Sequence, residues 1–139
     1  RRRNSHYDRP EVDRRPSSSS KRMTTEEAID NVVGFLLDEY NVDVVFDDDE
    51  VGTYSPDARV IGINDTEPEE EQLFILLHEA GHAKIRRDKR KLSRFAEEEV
   101  AWMEGRHLAQ TLKINIDQRS WASFYEKHLD DYRKWALTS

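Results

Sequence analysis

The chain has 139 residues, a net charge of −7 and no cysteine. That length predicts one domain with a sizeable hydrophobic core. The lack of cysteine excludes disulfides and thiolate metal sites, so any metal must bind His, Asp or Glu, and it favours a reducing, cytoplasmic location. No apolar stretch approaches the ~20 residues needed to cross a bilayer, and the charged N-terminus carries no secretory signal.

The charge is distributed unevenly along the chain. Residues 1–22 hold eight Arg or Lys and three Asp or Glu, a balance of +5, whereas residues 23–139 hold 14 basic and 26 acidic residues, a balance of −12. The first segment has almost nothing to bury, which predicts a disordered basic tail; the alternative is an arm that touches nucleic acid or an acidic partner. The acidic remainder predicts one folded domain that is unsuited to broad nucleic-acid binding.

Hydrophobic periodicity and turn signals predict an α+β fold: an N-terminal helix, a small three-stranded sheet and three further helices. The acidic "DDDE" and the turn "SPDA" separate the strands, which we interpret as an antiparallel meander. A basic loop at 84–94 follows the second helix. In chain order the predicted elements are helix 24–40, strands 42–46, 51–55 and 58–64, and helices 68–86, 93–113 and 117–136.

The second predicted helix contains the apolar segment "LFILLHEAGH", which ends in an HExxH motif. Residues four apart share a helix face, so His78 and His82 can direct their imidazoles at one Zn²⁺ ion at about 2.0–2.1 Å. Glu79 projects about 100° away, where it can act as general base on a metal-bound water. Gly81 predicts a close packing contact. The alternative is a chance histidine pair, although unpartnered polar groups are costly in so apolar a segment.

A zinc enzyme of this kind needs a third protein ligand. Asp88 stands where an extended HExxHxxGxxH motif has its last histidine, but the turn glycine is missing and its neighbours are cations. The next helix offers Glu97, Glu98 and Glu99. On a helical projection Glu98 falls in the middle of the apolar face, with Glu99 about 100° to one side and Glu97 about 100° to the other. Glu98 is therefore the predicted ligand and Glu99 its main competitor; the alternative for Glu98 is an ion pair with Arg106.

Three further features carry weaker predictions. A zinc protease often needs a donor for the developing oxyanion, and four side chains qualify by type alone: Tyr54, Tyr125, Tyr132 and His107. The strand at 58–64 either presents an edge to an extended peptide or is a core strand. The seven cations of the loop at 84–94, against one aspartate, form either a solvated loop or a contact for nucleic acid or an acidic partner.

The apolar helix ending in "HEAGH", the strand "VIGIN" before it and the pattern "ExxAW" at Glu98–Trp102 together resemble the minimal zincin metallopeptidases. The likeness is to the ImmA/IrrE-like group of phages, mobile elements and bacteria, and it covers about residues 25–112. It implies a zincin-like domain over 23–139. Trp102 stands where that family often has Asn, which implies different surroundings for the metal ligands, and the last helix has no counterpart.

Carried over position by position, the resemblance implies zinc ligands at His78, His82 and Glu98, with Glu79 as the catalytic glutamate. The predicted function is a gluzincin-type, zinc-dependent metallopeptidase that hydrolyses peptide bonds with a glutamate-activated, zinc-bound water. The family further implies a narrowly specific regulatory protease of phage or bacterial origin, acting on a protein or peptide substrate and not on a membrane.

The alternative function is a zincin-like binding module that contacts nucleic acid or a protein partner through the loop at 84–94. Glu79 argues against this alternative, because a purely structural metal site needs no base. The sequence specifies no oligomeric state.

Overall fold

A computed structural model describes residues 23–138, and the predicted tail at 1–22 lies outside the described residues. The order of helix, three strands and three helices confirms the predicted α+β fold. None of the described helices combines the length and the apolar character that a bilayer crossing requires. The elements are α1 Thr25–Phe35, a π-helical turn Leu36–Tyr40, β1 Asp43–Asp47, β2 Thr53–Ser55, β3 Val60–Asn64, α2 Glu69–Arg87, α3 Arg94–Thr111 and α4 Gln118–Thr138.

A reciprocal pair of hydrogen bonds starts α1. The side chain of Thr24 accepts a hydrogen bond from the backbone N–H of Glu27 at 3.1 Å, and the backbone N–H of Thr24 donates to the carboxylate of Glu27 at 2.8 Å. This capping box satisfies donors that a helix end otherwise leaves unpaired. The π-helical turn then ends at Asn41, whose left-handed φ of 57° turns the chain into the first strand.

The sheet has the strand order β1–β3–β2, so the predicted antiparallel meander is wrong. β1 runs parallel to β3, with Val44 opposite Ile61, and β2 runs antiparallel to β3. The apolar β3 has buried residues at Ile61 and Ile63 and takes the centre, whereas the exposed β2 takes an edge. The segment 48–59 provides the connection of about a dozen residues that a parallel pair needs. Because β3 is paired on both sides, the core-strand interpretation of 58–64 holds.

Most of α2 is buried between the sheet and the neighbouring helices. Its inner residues pack with α1, β1 and β3 into one continuous core, and α4 closes that core with aromatic side chains. Phe74 of α2 contacts Trp121 and Phe124 of α4, with ring centroids 5.2 and 5.6 Å apart. The HExxH motif therefore lies on a helix that is held from several sides, which fixes the orientation of its side chains.

The second helix ends at Arg87, one residue beyond the predicted 86, so only part of the stretch 84–94 is a loop. α2 continues through Arg87, and the connection to α3 is limited to 88–93. Ile85 is fully buried, and Lys84 pairs with Asp88 one turn later at 2.7 Å. Cations in a last turn also favour the helix dipole, which explains why a run that looks like a loop continues the helix.

Candidate metal centre and its cleft

The two histidines of the HExxH motif lie on one face of α2 and point at the same carboxylate of α3. The Nε2 atom of His78 lies 3.2 Å from Oε1 of Glu98, and the Nε2 atom of His82 lies 3.2 Å from Oε2. The two imidazole rings are 4.7 Å apart between their centroids. The three predicted metal ligands, which two helices contribute, therefore lie close together.

Two glycines let α2 and α3 approach closely enough for this contact. A Cβ atom at Gly81 would overlap the carbonyl oxygen of Ala101, and one at Gly105 would lie 2.5 Å from the carbonyl oxygen of Leu77. A side chain at either position would push the helices apart, because packed backbone cannot absorb such an overlap. Gly81 thus serves the close packing that the sequence predicted, and the position of Glu98 depends on it.

The Nε2 atom of His78 is buried and has no hydrogen-bond partner among the described residues. It lies near Glu98, but the direction of approach does not suit a hydrogen bond. Only 7% of the His78 surface is exposed, and a buried polar atom left unpaired is costly. A metal ion on the lone pair of this nitrogen would satisfy it. The residues of this cluster therefore fit a metal centre.

The carboxylates and imidazoles shift one another's protonation. Burial disfavours the charge on Glu98, but contacts with His78 and His82 hold the pKa of its carboxyl well below the usual range. Burial lowers the pKa of His82, yet the contact with Glu98, the charge of Glu79 and the hydrogen bond to Glu97 raise it to about 9. Contacts with Glu79 and Glu98 likewise raise the pKa of His78 against its burial. The cluster thus favours positive charge between its carboxylates, which a proton or a metal cation can supply.

Glu79 is buried next to the histidines, with 7% of its surface exposed. One candidate ligand atom from each of His78, Glu79 and His82 lies within 4.8 Å of the others, so these three residues could hold a metal ion. The carboxylate of Glu79, however, lies 3.4 Å from Nδ1 of His78, whereas both Nε2 atoms face Glu98. Glu79 therefore lies beside the point on which the Nε2 atoms converge, on the floor of the adjoining cleft.

Glu97 has a contact that was not predicted from the sequence. Its Oε2 atom lies 2.8 Å from Nδ1 of His82 and 3.4 Å from Nε of Arg86. A carboxylate on the outer nitrogen of a metal-binding histidine fixes the tautomer and the ring orientation. The helical projection placed Glu97 on the flank of α3, and that flank faces α2. The signal in the sequence was the run of three glutamates, because a carboxylate near a metal site commonly orients a ligand histidine.

Trp102 supports the other histidine. Its ring stacks on the imidazole of His78, with centroids 4.1 Å apart and an angle of 11° between the planes. Trp102 is itself buried and contacts Trp121, Phe124 and Tyr125 of α4 at centroid distances of 5.2 to 5.9 Å. The aromatic side chains of α4 therefore pack against Trp102, and Trp102 packs against His78. The last helix thus supports the site indirectly.

A cleft of about 640 Å³ opens onto the cluster. Its floor is α2 with Glu79 and the two histidines, and α3 contributes Glu97 and Glu98. One wall comes from the segment 51–56, which includes the edge strand β2, and the rest comes from the end of α2, the start of α3 and α4. The volume falls in the range of small-molecule binding pockets, and the two histidines with Glu79 and Glu98 line it.

The four candidate oxyanion donors are distributed unequally around the cleft. Tyr54 lines it, whereas Tyr125, Tyr132 and His107 do not. Burial raises the pKa of Tyr54, so its phenol keeps the proton that a hydrogen-bond donor needs. His128 of α4 also lines the cleft and was not predicted, although its spacing of four residues from Phe124 and Tyr132 places it on the apolar face of that helix.

Two alternative ligands and one alternative partner lie elsewhere. Asp88 pairs with Lys84 at the end of α2. Glu99 does not line the cleft. It lies near Tyr125 of α4 instead: burial raises the pKa of that phenol, and the charge of Glu99 raises it further. Arg106 is exposed and forms no ion pair with Glu98. The structure therefore brings neither carboxylate to the histidines.

Comparison with known proteins identifies the central part of the chain. The family model Peptidase_M78, described as the IrrE N-terminal-like domain, matches residues 34–105, slightly more than half of the chain. The matched segment contains the whole sheet, the HExxH helix and most of α3, and it ends before α4 begins. No curated protein and no solved structure matches the chain.

Proposed function

Since the chain belongs to the IrrE N-terminal-like family of peptidases, we propose that it is a zinc-dependent metallopeptidase that hydrolyses peptide bonds in a protein or peptide substrate. The observation that supports this most directly is the convergence of two imidazole Nε2 atoms on one carboxylate, each at 3.2 Å, on the floor of an open cleft. Two histidines and one glutamate are a ligand set that catalytic zinc uses, with a fourth position left for water.

His78, His82 and Glu98 are the proposed zinc ligands. The choice of Glu98 over Glu79 rests on which nitrogen each carboxylate approaches, because only Glu98 shares the side on which both Nε2 atoms lie. It also rests on the outer nitrogens, since Nδ1 of His82 is taken by Glu97. In that arrangement the ε nitrogens would hold the metal and the δ nitrogens would donate outward.

A zinc ion held there would supply Lewis acidity, which lowers the pKa of water and polarises the carbonyl of the scissile bond. The protein's own residues do the remaining work. Glu79 accepts a proton from the attacking water on its carboxylate and delivers it to the leaving amine. Tyr54 donates its phenol O–H to the oxygen that becomes negative when the carbonyl is attacked. The stacked Trp102 and the buried surroundings of α2 exclude competing water from the ligands.

The edge strand β2 is the proposed guide for the substrate backbone. Among the described strands it pairs only with β3, so the backbone groups of its other edge are available beside the cleft. An extended peptide that added to this edge would place its backbone along the cleft above the histidines. A narrow regulatory specificity and a phage or bacterial origin, which the family resemblance implies, belong to the same proposal.

The test is the Glu79→Gln variant with zinc content and peptidase activity measured on the same preparations. We expect one zinc per chain in both proteins by elemental analysis, and about a 10²- to 10⁴-fold loss of activity on a mixed peptide pool, the usual contribution of a general base. Glu99→Gln, which neutralises a carboxylate outside the cleft, is the matched control and should keep both. Wild-type protein without stoichiometric zinc would contradict the proposal.

The same experiment distinguishes the peptidase from the alternative function, a binding module that acts on nucleic acid or a protein through residues 84–94. A binding module keeps its function when Glu79 is neutralised, whereas a peptidase loses it. Binding of duplex DNA at low salt that disappears when Lys89 and Lys91 are neutralised would favour the alternative.

A further inference from the structure

Two arginines lie at the same end of the cleft. Arg86 follows His82 by four residues on α2, and Arg94 precedes Glu98 by four residues on α3; both line the cleft. Four residues of helix span about 6 Å along the axis. Because α2 and α3 run antiparallel, as the two glycine contacts between them require, both steps point the same way. Each arginine therefore lies about one helical turn from the proposed ligand on its own helix, and both lie on the same side of the ligands.

The charge of these two arginines is only partly compensated. The side chain of Arg86 is 57% exposed, and its single contact with Glu97, at 3.4 Å, shares a carboxylate that already binds His82 more closely. The guanidinium of Arg94 lies 5.6 Å from the ring centroid of Trp135 and forms no ion pair with a carboxylate of the described residues. Both therefore retain donors for a further anion.

The remaining cations of the stretch 84–94 differ from these two, because none of them lines the cleft. Lys89 and Lys91 are exposed in the loop between α2 and α3. The other three have partners away from the cleft: Lys84 with Asp88, Arg87 with the ring of Tyr40, and Arg90 with Glu104. The basic stretch is therefore divided into a pair that faces the substrate and a set that does not.

We propose that Arg86 and Arg94 form a subsite for a carboxylate of the substrate, so that the peptidase selects substrates with a negative charge on one side of the cleaved bond. This rests on the proposed peptidase function. A guanidinium recognises a carboxylate with two parallel N–H donors, and arginine is suited to that task. Residues 23–139 carry a balance of −12, so an acidic segment is repelled by most of the domain and attracted at this end of the cleft.

The carboxylate can belong to an Asp or Glu side chain or to the C-terminus of the substrate. A pool of randomised decapeptides with amidated C-termini, digested by the zinc-loaded protein and sequenced by mass spectrometry, tests the first source. A second pool without acidic residues but with free C-termini tests the second. We expect one pool to show a preference at a fixed distance from the cleaved bond, and Arg94→Gln to weaken that preference by about fivefold, the upper range for one exposed ion pair.

Lys91→Gln is the matched control, because it removes the same charge from the neighbouring loop outside the cleft. Arg86→Gln is the second variant, although it also touches Glu97, so zinc content is measured alongside. Because both arginines are exposed, we expect each variant to fold, and circular dichroism checks this. Equal preferences in wild type, Arg94→Gln and Lys91→Gln would overturn the subsite, as would cleavage with no preference for a carboxylate in either pool.

A binding measurement separates this subsite from the peptidase proposal. The zinc-loaded Glu79→Gln protein is immobilised, and the acidic content of the peptides it retains from the first pool is compared with that retained by the Glu79→Gln, Arg94→Gln double variant. Enrichment of acidic peptides that the double variant loses supports the subsite even when no cleavage is found, in which case the peptidase proposal alone fails. Equal retention by both proteins counts against the subsite.

Discussion

Three consecutive aspartates, Asp47–Asp49, begin the acidic run "DDDE" at the end of β1, and three consecutive glutamates, Glu97–Glu99, lie on α3, yet their surroundings differ. In the first run the carboxylates stay together: a side-chain oxygen of Asp47 accepts a hydrogen bond from the backbone N–H of Asp49 at 3.2 Å, and all three groups lie within metal-binding distance. The run is largely exposed and contains no histidine. The three carboxylates therefore share one largely exposed surrounding.

In the second run the helix directs the three carboxylates to different surroundings. At about 100° per residue, Glu98 faces both histidines, Glu97 contacts the outer nitrogen of His82, and Glu99 lies on the other flank with its charge acting on Tyr125. Each carboxylate thus has its own partners. The comparison shows what the helix adds: it separates the three carboxylates, and α2 supplies a histidine to two of them.

The largest expected effect is from Glu98→Gln, which neutralises the carboxylate that faces both histidines and so removes what distinguishes the second acidic run from the first. Because the amide cannot replace a charged ligand, zinc affinity measured by chelator competition should fall by more than about 100-fold, beyond the range for groups that only orient a ligand. Peptidase activity should fall with it. The matched change in the exposed run, Asp48→Asn, should leave zinc affinity unchanged. Wild-type affinity in Glu98→Gln would show that His78, Glu79 and His82 hold the metal without α3.

Gly81→Ala should move α3 away from α2 and so separate the second acidic run from the histidines. The added methyl meets the backbone of Ala101, and overpacking of this kind costs about 1–3 kcal/mol in the free energy of unfolding, measured by urea titration. Zinc affinity should fall as well, because Glu98 moves with α3. Ala122→Gly on the exposed face of α4 is the control: it costs about 1 kcal/mol of helix propensity and should not change zinc affinity.

Glu97→Gln should give an intermediate result. The variant keeps all three proposed ligands but loses the carboxylate on Nδ1 of His82, and loss of such a group lowers metal affinity by about 10- to 100-fold. Isothermal titration calorimetry with zinc resolves this from the larger loss in Glu98→Gln. Glu104→Gln on the same helix, which breaks the ion pair with Arg90, should bind zinc as the wild type does.

The smallest effect is expected from Asp48→Asn, and it concerns stability alone. The hydrogen bond with Asp47 and the charges of Asp49 and Asp47 raise the pKa of Asp48 above 3.8. The folded state therefore holds this proton more tightly than the unfolded state, so the wild-type protein loses stability as pH rises through the raised pKa. Asp48→Asn should remove that small loss, visible as a slightly higher melting temperature at pH values above the raised pKa. A lower melting temperature would contradict this account.

Helical spacing was sufficient to predict the parts of the site that lie on one element. It placed His78, Glu79 and His82 on α2 and identified Glu98 as the inward carboxylate of α3, because period and burial are properties of a single segment. Gly81 was likewise predicted as a close contact. These predictions needed no knowledge of how the helices are arranged.

Features that depend on the arrangement of elements were not predictable in the same way. Glu97 reaches His82 only because the antiparallel α2 and α3 meet in one register, and that register is set by backbone overlap at two glycines. The placement of β3 in the centre of the sheet depends on which strand buries both faces, which the alternating pattern of three short strands did not reveal. His128 is far from the motif in sequence and reaches the cleft through the packing of α4.

The helix α4 adds to the candidate site from outside the segment that matches the family. The segment that matches the family ends at residue 105 and contains every proposed metal ligand, whereas α4 lies beyond it and contributes His128 to the cleft and aromatic support to Trp102. The proposed ligands and most of the cleft lining thus lie in the matched segment, and α4 adds one lining residue and the support of Trp102. A replacement of the last helix that kept its contacts with Trp102 would therefore alter the cleft only around His128 and leave the proposed ligands in place.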